Sequence, residues 1–157
     1  IQKLSDTLGK FGFQKQVDDF VLSMNRAAEK AAPVARGYFT DAIKQMTFKD
    51  AMKILDGGDT AATDFFRKKT YTKLYDSFKP TISQTMDQVG VANYYKDMMG
   101  KFTEIPFMSS ASVDLDDYVT NEALDGLFYM VGKEEKNIRK DPAARVTDIL
   151  KEVFGKN

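Results

Sequence analysis

Residues 54–70 read ILDGGDTAATDFFRKKT, from Ile54 to Thr70. Two aspartates flank a pair of glycines, and a run of small residues leads into Phe65-Phe66-Arg67. The stretch is either a loop that holds an ion or a phosphate, or the junction between two helices. A calcium loop of the EF-hand kind needs oxygen ligands at alternating positions, glycine at the sixth and an acid at the twelfth. Counted from Asp56, the third position is Gly58 and the sixth is Ala61, so the pattern fails. A phosphate-binding loop needs Gly-Lys-Ser/Thr, which the chain lacks here. A junction fits better: Gly57 or Gly58 closes one helix in a left-handed cap and Asp59 caps the next. Free N–H groups at the start of that next helix leave room for an anionic partner group, with Asp59 competing for them.

Helical periodicity continues on both sides of the junction. Downstream, Ala61, Ala62, Phe65 and Phe66 share a face. A break near Thr70 shifts that face, and Tyr71, Leu74, Tyr75, Phe78, Ile82, Met86 and Val89 form a stripe to Gly90. Pro80 falls opposite the stripe, which predicts one kinked or curved helix there rather than two. Upstream, Thr47 and Asp50 resemble a capping box that opens a short helix bearing Phe48, Ala51, Met52 and Leu55. Before it, Pro33 starts a helix with Ala35, Tyr38, Phe39, Ala42, Ile43 and Met46 on one face. Gln14 to Ala31 is another, with Val17, Phe20, Val21, Met24, Ala27, Ala28 and Ala31.

Beyond Gly90, Val91, Tyr94, Tyr95, Met98 and Phe102 make a short amphipathic helix. Thr103–Asp114 has no period and reads as a loop. After a short turn at Leu115–Val119, a long helix runs from about Asn121 to Lys140 and stops at Asp141-Pro142. A last helix carries Val146, Ile149, Leu150, Val153 and Phe154. No stretch alternates with period two. The expectation is a single all-α domain over residues 1–157, a compact multi-helix bundle of about eight or nine helices.

Composition narrows the chemistry. The chain has 157 residues, 43% hydrophobic and 29% charged, ordinary for a globular domain. Lys+Arg and Asp+Glu are both 23, so no net field attracts nucleic acid. Cys, His and Trp are absent. The usual zinc, haem and iron–sulfur ligand sets are therefore excluded, as are thiol nucleophiles and Ser-His-Asp triads. No cofactor, metal site or catalytic set is expected. No apolar run approaches a membrane span. Because the chain starts at Ile1 rather than Met, a processed or trimmed product is expected, with any targeting signal outside it.

The candidate binding residues are Glu134, Glu135, Arg139, Arg67, Tyr71 and Tyr118. On the long helix, Ala123, Leu124, Leu127, Met130, Val131 and Ile138 mark the apolar face, and Glu134 projects into its middle. A carboxylate aimed at a core must be paired, protonated or facing a cavity. Glu135 and Arg139 flank that face at i,i+4 spacing and can pair. Arg26 and Arg67 lie opposite the apolar centres of their helices, facing solvent or a second layer. Tyr71 and Tyr118 belong to a set of aromatics that, with eight Met, can fill a core or line an apolar cavity. The acids of Asp114–Asp117 do not continue into a calcium loop, since Tyr118 and Val119 fill the fifth and sixth positions. They dress a helix N-terminus instead.

The motifs MNRAAEKAAP, DAMKILDGGDTAATDFFRKKT, DLDDYVTNEALDGLFYMVGKEEKNIRKDPAARVTDIL and VFG occur in that order. Together they resemble an uncharacterised bacterial family, domain of unknown function 4197, over nearly the whole chain. Members of that family are typically exported, with a signal peptide or lipoprotein-type N-terminus and a further segment before the region where Ile1 begins. The resemblance implies a Gram-negative envelope location, periplasmic or anchored. It carries over no catalytic residues. The expected function is a non-enzymatic module that binds a protein partner or a lipid-like, apolar or amphipathic small molecule, with no nucleic acid. The alternatives are a carboxylate-based hydrolase and a purely structural envelope protein. The oligomeric state is not legible.

Overall fold

The computed structural model describes residues 10, 12–103, 114–144, 146–148 and 151. These residues hold α-helices and no strand: α1 (Gln14–Ala31), α2 (Ala35–Lys44), α3 (Phe48–Leu55), α4 (Ala61–Val89), α5 (Val91–Thr103) and α6 (Leu115–Lys140). Short 3-10 turns occupy Ala32–Val34 and Pro142–Ala144. The all-α expectation holds, but six α-helices replace the expected eight or nine among the described residues. The loop expected over Thr103–Asp114 and most of the closing helix fall outside the described residues.

The reduced number has a physical cause. α4 runs unbroken through Thr70, where a break was expected. Thr70 is buried, and its hydroxyl donates to the Phe66 carbonyl at 2.7 Å, so it needs no partner outside the helix. Buried Thr63, Thr70, Leu74, Phe78, Ile82 and Met86 recur at steps of four or seven and form one stripe. Two of its members are threonines, which a count of hydrophobes skips. Pro80 sits inside the same helix, as expected. Likewise the turn expected at Leu115–Val119 is the first part of α6. Pro33 lies in the 3-10 turn before α2 rather than in its first helical turn.

The chain divides into two compact units, and α4 and α6 each contribute to both. The first comprises residues Ile1–Pro33 and Tyr75–Ala123. Its core joins Val17, Phe20, Met24, Ala27 and Ala31 of α1 to Phe78, Ile82 and Met86 of α4 and Val119 of α6. α1 packs on α5, where the Phe20 and Tyr95 rings lie 5.7 Å apart. The Tyr75 hydroxyl donates to Asp117, and Lys79 donates to Tyr75 at 3.1 Å, tying α4 to α6 within this unit. Gly90, at φ 73°, makes the left-handed turn that lets α5 start at once after α4.

The second unit comprises Val34–Leu74 and Leu124–Asn157. Ala35, Ala42, Leu74, Leu124 and Phe128 are buried in it. Around Phe128 the aromatics pack ring against ring: Phe39 to Phe66 at 5.2 Å, Phe39 to Phe128 at 5.9 Å, and Tyr71 stacked on Phe128 at 6.3 Å. α3 stands apart from this core. Its capping box is formed, with Asp50 N–H donating to the Thr47 hydroxyl oxygen at 3.1 Å, yet the helix buries none of its residues.

Candidate functional site

The buried face of α6 is rotated by about one residue from the face expected. It runs through Thr120, Leu124, Phe128, Gly132, Glu135 and, mostly covered, Arg139. Glu134, expected at its centre, is exposed, and so are Tyr129 and Met130. Neighbours on a helix are 100° apart, so turning Glu135 inward turns Glu134 away. The face is set by small and polar residues that fit against α4. Gly132 is the clearest of these: a Cβ placed there would lie 3.5 Å from the Thr60 methyl and 3.6 Å from the Thr63 methyl. Thr120 and Gly132 carry no hydrophobic signal, and Glu135 carries an opposing one.

The buried carboxylate is therefore Glu135, with a side chain 9% exposed. One oxygen, Oε1, accepts from Ala62 N–H at 2.9 Å. The other, Oε2, accepts from Thr63 N–H at 2.8 Å and from the Thr63 hydroxyl at 2.7 Å. These N–H groups belong to the first turn of α4, which no residue ahead of them inside the helix can satisfy. Glu135 thus does from α6 what Asp59 was expected to do locally. Asp59 turns instead to the lysines of α6, at 2.5 Å from Lys140 and 3.9 Å from Lys136. The hydrogen bond from Lys140 holds the Asp59 carboxyl below its usual range.

Arg139 completes the arrangement. The i,i+4 pair is present: its Nε and Nη2 lie 2.9 and 2.8 Å from Glu135 Oε1. The same guanidinium donates to the carbonyls of Ile54, at 2.6 Å, and Leu55, at 3.5 Å, in the last turn of α3. One ion pair on α6 therefore caps two other helices, with the anion at a helix N-terminus and the cation at a helix C-terminus, where each helix dipole favours it. The DGGD turn lies between the two capped ends. Gly57 and Gly58 are not left-handed there, contrary to expectation; among the described glycines, Gly12 and Gly90 are the ones with positive φ. Gly57 is needed for space: a Cβ would sit 2.5 Å from the Ala61 Cβ and 2.7 Å from the Lys53 carbonyl. Burial pushes the Glu135 carboxyl up, but hydrogen bonds from Ala62, Thr63 and Arg139 outweigh it and hold the group below its ordinary value.

Arg67 and Tyr71 meet elsewhere in the same unit. The Arg67 guanidinium pairs with Asp125 of α6 and lies over the rings of Tyr71, at 5.6 Å, and Phe128, at 5.5 Å. Asp64, Arg67, Lys68 and Tyr71 line a shallow, open depression rather than an enclosed apolar cavity. Tyr118 belongs to the first unit, where it is half-buried; burial and the nearby Glu122 raise its phenol. Among the described residues no group of three or more Asp or Glu converges as a metal site. No helix among them is long and apolar enough to cross a membrane.

The chain matches, over residues 1–155, the family described as Protein of unknown function (DUF4197). It belongs to that family. No curated protein and no solved structure matches. Within this DUF4197 chain, the DGGD junction is the place where three helices meet through one ion pair.

Proposed function

We propose that this chain is a non-enzymatic docking module that seats a protein partner on the outward face of α3. The observation that carries this is an amphipathic helix whose apolar side is turned partly outward: Phe48 is 81% exposed and Met52 39%, while Leu55 is half-covered. Ile43, at the end of α2, is 55% exposed. Apolar side chains clustered outside a core mark interaction surfaces. Exposed Lys49 and Lys53 line one edge of the Phe48–Met52 stripe. The complementary partner is an apolar helical segment bordered by carboxylates, laid along this stripe by its i, i+3, i+4 anchors. The envelope as the place of docking rests on the resemblance alone.

Nothing favours the hydrolase. The Glu135 oxygens are filled by donors that cap helices, leaving no lone pair aimed at a substrate. The depression at Arg67 is shallow and open, and it encloses no apolar volume in which a lipid-like molecule would be buried.

Site-specific photo-crosslinking in the native cell tests the docking face. A benzophenone amino acid is placed at Phe48 or Met52 of the full-length protein, with exposed Glu29 and Lys133 as control positions. The expected result is one discrete protein adduct at 48 and 52, cross-linked within an acidic amphipathic segment, absent from the controls and lost in Lys49→Glu/Lys53→Glu. No adduct, equal adducts at all four positions, an adduct with a second copy, or a lipid adduct would each overturn the proposal.

A further inference from the structure

α3 is held to its unit by polar groups more than by packing. None of its residues is buried, and only Asp50, Ile54 and Leu55 are half-covered. The Thr47–Asp50 capping box is internal to the helix and ties it to nothing else. What reaches α3 from α6 is Arg139, through the Ile54 and Leu55 carbonyls, and Arg139 is itself positioned by Glu135.

The groups around Glu135 leave a proton almost nowhere to go. Ala62 N–H, Thr63 N–H and the Arg139 guanidinium are all donors. A protonated carboxyl would set its O–H against them; the Thr63 hydroxyl alone can turn to accept. The Arg139 guanidinium, only 11% exposed, would also lose the carboxylate paired with it, leaving the more distant Asp59 to act on it.

We propose that the Glu135–Arg139 pair is a proton-released latch: protonating Glu135 frees α3 and the turn to α4, residues 48–63, while the helices behind them stay folded. The direction of the Glu135 shift agrees. Its ordinary value is 4.5, and in the fold it lies lower. The stabilisation is therefore complete above pH 4.5 and is lost as pH falls through the folded value. The latch is closed at neutral pH and opens in acid. Other charges lie around this junction: Asp59, Lys136 and Lys140 at the turn, Asp50 and Lys53 from α3, Asp56 just after it, and Asp64 and Lys69 from α4. Asp59 and Asp50 are the competing titrators, because both carboxyls are also held low, Asp59 by the hydrogen bond from Lys140 and Asp50 by those from Thr47. If α3 carries the docking face, acid loosens the same helix that docks; that link rests on the function proposed above, whereas the latch is measured on the free chain without a partner.

Hydrogen exchange read by mass spectrometry tests it, with Glu135→Gln as the mimic of the protonated state. At pH 7 the variant is expected to exchange amides of residues 48–63 at least tenfold faster than the wild type, with residues 74–86 and 124–132 accelerated far less. As pH is stepped down from 5 until Glu135 is protonated, after correction for intrinsic rates, the wild type, Asp59→Asn and Asp50→Asn should gain this acceleration and Glu135→Gln should gain none. Uniform acceleration or unfolding of the variant would make the pair a core tie and overturn the latch. No acceleration, or an acid step that disappears in Asp59→Asn or in Asp50→Asn, would overturn it too.

Discussion

Replacing Glu135 by alanine removes the acceptors at the α4 end of the DGGD junction and the carboxylate that positions Arg139 at its α3 end, and the structure sets the scale of the loss. The N–H groups of Ala62 and Thr63 lose their cap, a loss of about 1 kcal/mol for a helix N-terminus. Arg139 is left charged and mostly buried, and stranding one partner of a buried pair costs about 3–5 kcal/mol. Arg139 keeps its bonds to the Ile54 and Leu55 carbonyls, which argues for the lower part of that range. The expected loss for Glu135→Ala is therefore about 4–5 kcal/mol at neutral pH. For a chain of this size that lowers the thermal midpoint by roughly 8–20 °C. Arg139→Leu should also destabilise. The double variant should lose about 1–2 kcal/mol less than the two single losses added, because removing both partners strands neither charge. Urea unfolding followed by far-ultraviolet circular dichroism measures all four proteins. A Glu135→Ala loss below about 1 kcal/mol, or single losses that add within about 0.5 kcal/mol, would refute the reasoning.

Two further outcomes follow from the glycines. Gly57→Ala should lose about 1–3 kcal/mol by urea unfolding, since its Cβ would meet Ala61 and the Lys53 carbonyl, whereas Gly58→Ala, with open space around it, should stay within about 0.5 kcal/mol. Gly132→Ala should gain about 0.5–1 kcal/mol of helix propensity, because its new methyl reaches the Thr60 and Thr63 methyls at ordinary contact distances, while Gly132→Leu should destabilise by thermal melting.

How far the fold could be read depended on which residues lined each helix. α1 was legible because hydrophobes mark its face, and Val17, Phe20, Met24, Ala27 and Ala31 are all buried. α4 and α6 misled because their buried stripes pass through Thr63, Thr70, Thr120, Gly132 and Glu135, residues that a hydrophobic count places outside. The error at Thr70 split one helix in two; the error on α6 moved the buried acid one residue, from Glu135 to Glu134. The spacing of Glu135 and Arg139 was legible, since i,i+4 pairing is local.

From the sequence by itself came the all-α class, the membership of the family, the capping box at Thr47 and Asp50, and the exclusion of thiol and histidine chemistry. These depend on neighbours along the chain or on which side chains exist at all. Only the tertiary structure decided that Glu135 caps α4 across 72 and 73 residues, that Arg139 holds the end of α3, and that Phe48 faces outward. An orphaned helix end must find a partner, but its identity depends on which side chain packing brings within hydrogen-bond distance.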